Sequence, residues 1–96
     1  MTDFLNQDLA GRRAETLKAL GHPHRLRIVD LLCHQEHCVG DIAEALSLES
    51  AIVSQQLKIL RLSGLVKVQK KNGFSFYSLA IPNLRKLLEC LKTCEH

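Results

Sequence analysis

Tryptophan is absent from this 96-residue chain and aromatic residues make up only 4% of it. Leu, Ile, Val and Ala are therefore left to fill the core, which suits packed helices, and at 46% hydrophobic content there is enough for one globule. No stretch approaches the roughly 20 apolar residues that a membrane span needs. No signal-peptide pattern opens the chain either, because Met1-Thr2-Asp3 is polar and acidic. Repeats, low-complexity tracts and linkers are missing, so residues 1–96 read as a single domain. There is no nucleophile–base pair and no phosphate-binding loop, which argues against an enzyme. The most informative gap is one of charge: between Glu49 and Glu89 there is no acidic residue. That run, Ser50 to Leu88, holds Lys58, Arg61, Lys67, Lys70, Lys71, Arg85 and Lys86. Duplex DNA is a dense line of phosphates, so a surface that lies on it should lose its carboxylates. The whole-chain charge of +3 hides this asymmetry. Locally, it points to nucleic acid.

What is present has helical spacing. From Asp3 to Leu20, Leu5, Leu9, Leu17 and Leu20 fall on helical faces, and Gly21 stops the segment. Pro23 suits the first turn of a second helix reaching about Cys33, which buries Leu26, Val29 and Leu32. A third helix is predicted from Val39 to about Leu46 and a fourth from Ser50 to about Ser63, closed by Gly64. Two strands, Leu65–Lys70 and Phe74–Leu79, flank Asn72-Gly73, a strong hairpin signal. Pairing across that turn sets Val66 opposite Leu79 and Val68 opposite Tyr77, with Phe74 and Phe76 on the other face. Pro82 opens a last helix striped by Leu84, Leu87, Leu88 and Leu91. The result is mainly α with a small β-hairpin, in the order α-α-α-α-β-β-α. The Leu stripes at the two ends are long for so small a domain, and burying them calls for a homodimer. The four cysteines lie in or at the ends of helices rather than across loops, which fits thiols in the cytoplasm better than disulfides. His22 and His24, flanking Pro23, are expected to face solvent.

The third and fourth helices, joined by a short turn, form a helix-turn-helix candidate. On the fourth, Val53, Leu57 and Leu60 follow core spacing. At about 100° per residue, Ala51, Ser54, Gln55 and Lys58 gather on the opposite side. That face is small and hydrogen-bonding, as a helix entering a major groove about 12 Å wide requires. Gln bonds adenine bidentately, Ser is permissive, and Ala51 suits a thymine methyl. An ordinary solvated helix face would look similar. The hairpin just downstream, carrying Lys67, Lys70 and Lys71 and no acid, weighs against that plainer reading.

Taken together, Leu20-Gly21-His22-Pro23-His24-Arg25-Leu26-Arg27-Ile28, Cys38-Val39-Gly40-Asp41-Ile42-Ala43, Val53-Ser54-Gln55-Gln56-Leu57-Lys58-Ile59-Leu60, Ser63-Gly64-Leu65-Val66 and Phe76-Tyr77-Ser78-Leu79 resemble the ArsR/SmtB family of winged helix-turn-helix repressors. The resemblance spans nearly the whole chain. It implies a homodimer joined through the first and last helices, with recognition helices in successive major grooves of operator DNA. It also implies release by a metal, metalloid or redox signal. By position, Ser50, Ala51, Ser54 and Gln55 match the family's base-reading residues. Glu49 stands where the family has a small polar residue, so Ser50 is expected to take over as N-cap.

The resemblance does not name an inducer. The run Cys33-His34-Gln35-Glu36-His37-Cys38 is dense in metal-ligand types. Cys38 matches the first cysteine of the family's Cys-Val-Cys metalloid motif, but Gly40 replaces the second. The family's histidine–aspartate zinc site is also mostly missing, with Ile81 and Asn83 in its early positions. Cys90 and Cys94, four apart on the last helix, offer a chelating pair for arsenite or another thiophilic ion. Cys33, His96 or a residue of the partner chain would be the third ligand, and Cys38, His34 and His37 are further candidates. No cofactor is expected for DNA binding itself. An alternative is a redox or persulfide switch, in which Cys33 bridges to a last-helix thiol such as Cys94. A second alternative is a cytoplasmic metal or thiol carrier whose basic hairpin is incidental, and a third is a winged helix used only for protein contact. Small hydrophobic packing remains the plain role for any one of these cysteines.

Overall fold

The computed structural model describes residues 4–94 and orders them as α1 (Gln7–Leu20), α2 (Pro23–Leu32), α3 (Val39–Leu46), α4 (Ser50–Leu62), β1 (Val66–Lys71), β2 (Phe74–Leu79) and α5 (Leu84–Lys92). Local chemistry sets the boundaries. α1 begins at Gln7 and not at Asp3, because Asn6 Oδ1 accepts the Leu9 N–H at 2.7 Å and so caps the first turn. α2 is capped by an imidazole: His22 Nδ1 accepts the His24 N–H at 3.0 Å, with Pro23 in the first turn. His22 and His24 are consequently half-buried, contrary to the solvent-facing expectation.

α3 and α4 end alike. At the end of α4, Gly64 (φ 78°) donates to Arg61 O and Leu65 to Leu60 O, both at 3.0 Å. This left-handed cap satisfies two last-turn carbonyls and commits the Leu65 N–H to the helix. β1 therefore starts at Val66, one residue later than the pattern suggests. At the end of α3 the same two bonds run from Ser47 to Glu44 O (3.3 Å) and from Leu48 to Ala43 O (3.0 Å). Here Ser47, at φ 55°, takes the place a glycine usually fills. Pro82 does not open α5. It lies in a turn whose Leu84, Arg85 and Lys86 N–H groups bond three residues back, and the regular helix begins at Leu84.

The hairpin has the expected register, Val66 with Leu79 and Val68 with Tyr77. Asn72 (φ 52°) and Gly73 (φ 82°) are both left-handed, as a tight primed turn demands. A further bridge ties this wing to the α2–α3 loop. Tyr77 N–H donates to His37 O at 2.8 Å, and His37 N–H returns a bond to Tyr77 O at 3.1 Å.

The core gathers Ile28, Val29, Ile42, Val53, Leu57, Leu60 and Leu65, with Leu20, Leu32, Val66, Leu84 and Leu88 around them. Val53, Leu57 and Leu60 are thus buried as their spacing requires, whereas Ile28 joins them unanticipated. Leu5, Leu17 and Leu91, from the stripes of the first and last segments, stay exposed within one chain. Among the described residues no helix is long and apolar enough to cross a membrane.

Candidate nucleic-acid interface and the cysteine positions

α4 is presented by the core beneath it. With Val53, Leu57 and Leu60 seated inward, Ser50, Ala51, Ser54, Gln55 and Lys58 are all exposed. The hydrogen-bonding of this helix starts at the Glu49 carbonyl, which accepts Ile52 N–H at 3.0 Å and Val53 N–H at 3.1 Å. Glu49, in extended conformation, is therefore the N-cap, and Ser50 is the first helical residue rather than the cap. The Glu49 carboxylate makes no capping bond and is exposed at the helix mouth. Leu62, 73% exposed, continues the four-residue spacing of Ser54 and Lys58 along the same side. That spacing is a signal available in the sequence, and it carries the exposed side one turn beyond Lys58.

The wing lysines do not form one patch. Lys70 shares its hairpin face with Val66 and Val68, while Lys67 and Lys71 lie on the face of Phe74 and Phe76. All three are exposed, but Lys71 is engaged: its Nζ is 2.6 Å from Glu36 Oε1 and 5.7 Å from the centre of the Phe76 ring. Glu36 precedes the bridged His37, so the loop that holds the wing by its backbone also holds its tip by charge.

The cysteines are dispersed. Cys33 is buried at the end of α2, Cys38 is the half-buried N-cap of α3 with no side-chain capping bond, and Cys90 and Cys94 are exposed. Cys94 is not on the last helix, as its spacing suggests it should be. α5 ends at Lys92 with Thr93 as cap, and Cys94 follows the cap, so the pair lacks regular i, i+4 helical geometry. His96 lies outside the described residues. Among those described, no group of three or more His, Cys, Asp or Glu side chains is placed to hold a metal ion.

Cys33 lines a cleft of about 260 Å³ between α2 and α5, together with Asp30, His34, Arg85, Leu88, Glu89 and Lys92. Arg85 donates to the Cys33 carbonyl through Nε at 3.1 Å and through Nη2, closing the C-terminal end of α2 with positive charge. Lys92 Nζ stands 2.6 Å from Asp30 Oδ1. At that distance the carboxylate holds the exposed Lys92 ammonium above its ordinary value, by hydrogen bonding first and by charge second. Burial pushes the Cys33 thiol above its ordinary value and Asp30 adds to this, against the opposing pull of Arg85 and Lys92. A thiol so placed stays protonated and is a poor nucleophile.

One polar pair is not foreshadowed by the sequence pattern. Gln56, on α4, is buried, and its Oε1 accepts from Arg25 Nη1 at 3.0 Å. Arg25 Nε also donates to the Ala19 carbonyl of α1 at 2.5 Å.

Comparison with known proteins agrees with this geometry. Residues 22–68 match the bacterial regulatory protein, arsR family. An HTH-type transcriptional regulator of Mycobacterium tuberculosis, Rv0081, is 39% identical over 77 residues, covering 79% of this chain and 68% of that protein. The crystal structure of the transcriptional repressor BigR from Xylella fastidiosa superposes with a TM-score of 0.84 at 32% identity, covering 94% of each chain. The homodimeric winged helix-turn-helix DNA-binding domain of Mb0332 from Mycobacterium bovis gives 0.79 at 28% identity, over 96% of this chain and 87% of that one. The helix-turn-helix of α3 and α4, the wing of β1 and β2, and these likenesses agree: the chain belongs to the ArsR family of winged helix-turn-helix transcriptional regulators.

Proposed function

We propose that the protein is a homodimeric repressor that binds operator DNA through α4 and the wing. The observation that carries this reading is the exposed side of α4. Small and hydrogen-bonding groups stand over a firmly buried opposite side, within a stretch of sequence free of acids. Gln55 and Ser54 are the residues suited to base edges, with Ser50, Ala51 and Lys58 beside them. Lys67 and Lys70 are the wing charges free for phosphate. The exposed Leu17 and Ile81 flank a hollow of about 450 Å³ between α1 and α5, which a second copy would cover. Mb0332 is itself a homodimer. The test is selection from a random duplex pool by the full chain, followed by binding at several salt concentrations. Gln55→Ala should weaken the selected site by about 1–3 kcal/mol and relax preference at one base position per half-site. An unchanged ratio of selected to random affinity would place the reading face elsewhere.

The inducer is proposed to be thiol-reactive, acting at Cys90 and Cys94 with Cys33 in the adjoining cleft. What supports this is exposure. Two accessible thiols lie at the end of a helix assigned to the dimer interface, so modifying them alters the distance between the two copies of α4. Arsenite or another thiophilic ion fits such a pair, and a bridge to Cys33 is the alternative. Operator release by the reduced protein, measured against arsenite, zinc, cadmium, copper(I), peroxide and polysulfide, separates the two. Cys33→Ser should spare a chelate and abolish a bridge, while unchanged release by Cys90→Ser, Cys94→Ser would move sensing to Cys38, His34 and His37.

A further inference from the structure

Gln56 is the only buried polar residue among those described. A buried amide without a partner is costly, and leucine would fill much the same space. Its partner is the planar guanidinium of Arg25, which arrives from α2 already fastened to α1 through the Ala19 carbonyl. That carbonyl lies at the negative end of the α1 dipole, so the guanidinium is favoured there whether or not Gln56 is present. A guanidinium presents its N–H groups in a rigid fork. Two bonds from one fork therefore fix the Ala19 carbonyl and the Gln56 amide relative to each other.

The apolar contacts of Val53, Leu57 and Leu60 press α4 against the core, but hydrophobic attraction is non-directional and sets roll and slide only weakly. A directional bond is different. Gln56 lies on α4 itself, so holding its side chain fixes where the helix sits as a body and leaves its outward side chains as they are.

We propose that Arg25 and Gln56 are positioning residues that lock α4 to α1 and so set the half-site spacing that the dimer accepts. This rests on the dimeric, DNA-binding reading above, in which α1 belongs to the subunit interface. With α1 anchored at the partner, the Arg25 fork is the polar link from the interface to the recognition helix.

The experiment uses the full chain and duplexes carrying two half-sites selected from a random pool, with the spacer lengthened or shortened by one base pair. One pair moves a half-site by roughly 3.4 Å along the duplex and also rotates it, a change that a rigid dimer should resist. Wild type is expected to discriminate between spacings. Gln56→Leu should remain folded and dimeric and keep its base preference within a half-site. Its discrimination between spacings should fall about fivefold or more. Gln56→Glu keeps an acceptor for Arg25 and should retain discrimination. Arg25→Lys, which loses the fork, should lose it as Gln56→Leu does, and it decides the matter if Gln56→Leu fails to fold. Wild-type discrimination in both Gln56→Leu and Arg25→Lys, with only the melting temperature lowered, would reduce the pair to a structural role. A wild-type chain that selects no sequence at all would instead overturn the DNA-binding reading, and the proposal with it.

Discussion

At the scale of single residues, charge pairing decides which side chains are free to act. Lys71 looks equivalent to Lys70 in the sequence, yet only Lys71 has a carboxylate 2.6 Å away. Both partners of this pair are substantially exposed, so it contributes little to stability. Its effect falls on binding, because a phosphate must compete with Glu36 for the same ammonium. Lys70→Ala should flatten the salt dependence of DNA binding by about one counterion for each phosphate that a subunit no longer neutralises. Lys71→Ala should flatten it less, and Glu36→Gln should tighten binding at low salt, all read from affinity against salt titrations. Equal slopes for the two lysine variants would mean that the pair opens freely on DNA.

Cys33 shows the same principle with a proton. Its thiol is raised above the ordinary 9.0 by burial and by Asp30. Below that value the thiol is protonated in both the folded and the unfolded chain, and its contribution to stability is fully present. As pH rises past 9.0 the unfolded chain ionises first, so stability should fall with pH until Cys33 ionises in the fold as well. Denaturant melts of wild type and Cys33→Ala across this window should converge as pH rises. At neutral pH, iodoacetamide should label Cys90 and Cys94 well before Cys33 when followed by mass spectrometry.

At the scale of elements, the legible parts were those written in local chemistry. Asn72-Gly73 specified both the turn and the register, and the spacing of Val53, Leu57 and Leu60 specified which side of α4 is buried. The starts of α2 and α4 were legible although their caps were not, an imidazole at His22 and the backbone of Glu49 in place of a hydroxyl at Ser50. α1, β1 and α5, by contrast, each begin later than the pattern suggests. Cys94 departs from its expected place because a four-residue spacing implies a shared helix face only while the helix continues, and α5 has already ended. The Arg25–Gln56 pair was invisible for a different reason. Its partners are 31 residues apart, and no periodicity records a hydrogen bond between helices.

One element carries correctable strain. Ser47 holds a left-handed conformation at the end of α3, in the middle of the helix-turn-helix, where a side chain is disfavoured. Ser47→Gly should therefore stabilise the fold by about 0.5–1 kcal/mol in denaturant melts, the relief of strain exceeding the added freedom of the unfolded chain. Loss of stability would mean that the serine side chain holds the turn in some other way.

At the scale of the whole molecule, Leu17 and Leu91 are exposed on α1 and α5, while Lys58, Lys67 and Lys70 are exposed on α4 and the wing. The two kinds of surface suit different partners. If the apolar one is covered by a second copy, sedimentation at micromolar concentration should give a mass near twice 10.8 kDa. Leu17→Glu, which places a charge beside the hollow between α1 and α5, should halve it. The same variant should bind a single half-site as wild-type protomers do and lose the gain from paired half-sites. A single-chain mass for wild type across that range would remove the basis for paired half-sites.

The bridge between His37 and Tyr77 has a consequence for how the chain tolerates change in length. The segment between α2 and α3 is short, polar and largely exposed, the kind of place where insertions are ordinarily absorbed. Here its backbone is already committed to the wing through two bonds. An added residue between Gln35 and Glu36 would have to bulge outward or shift His37 out of register with Tyr77. In the second case it would re-aim a hairpin that lies far along the sequence. Length is therefore constrained in this loop more tightly than its side chains are.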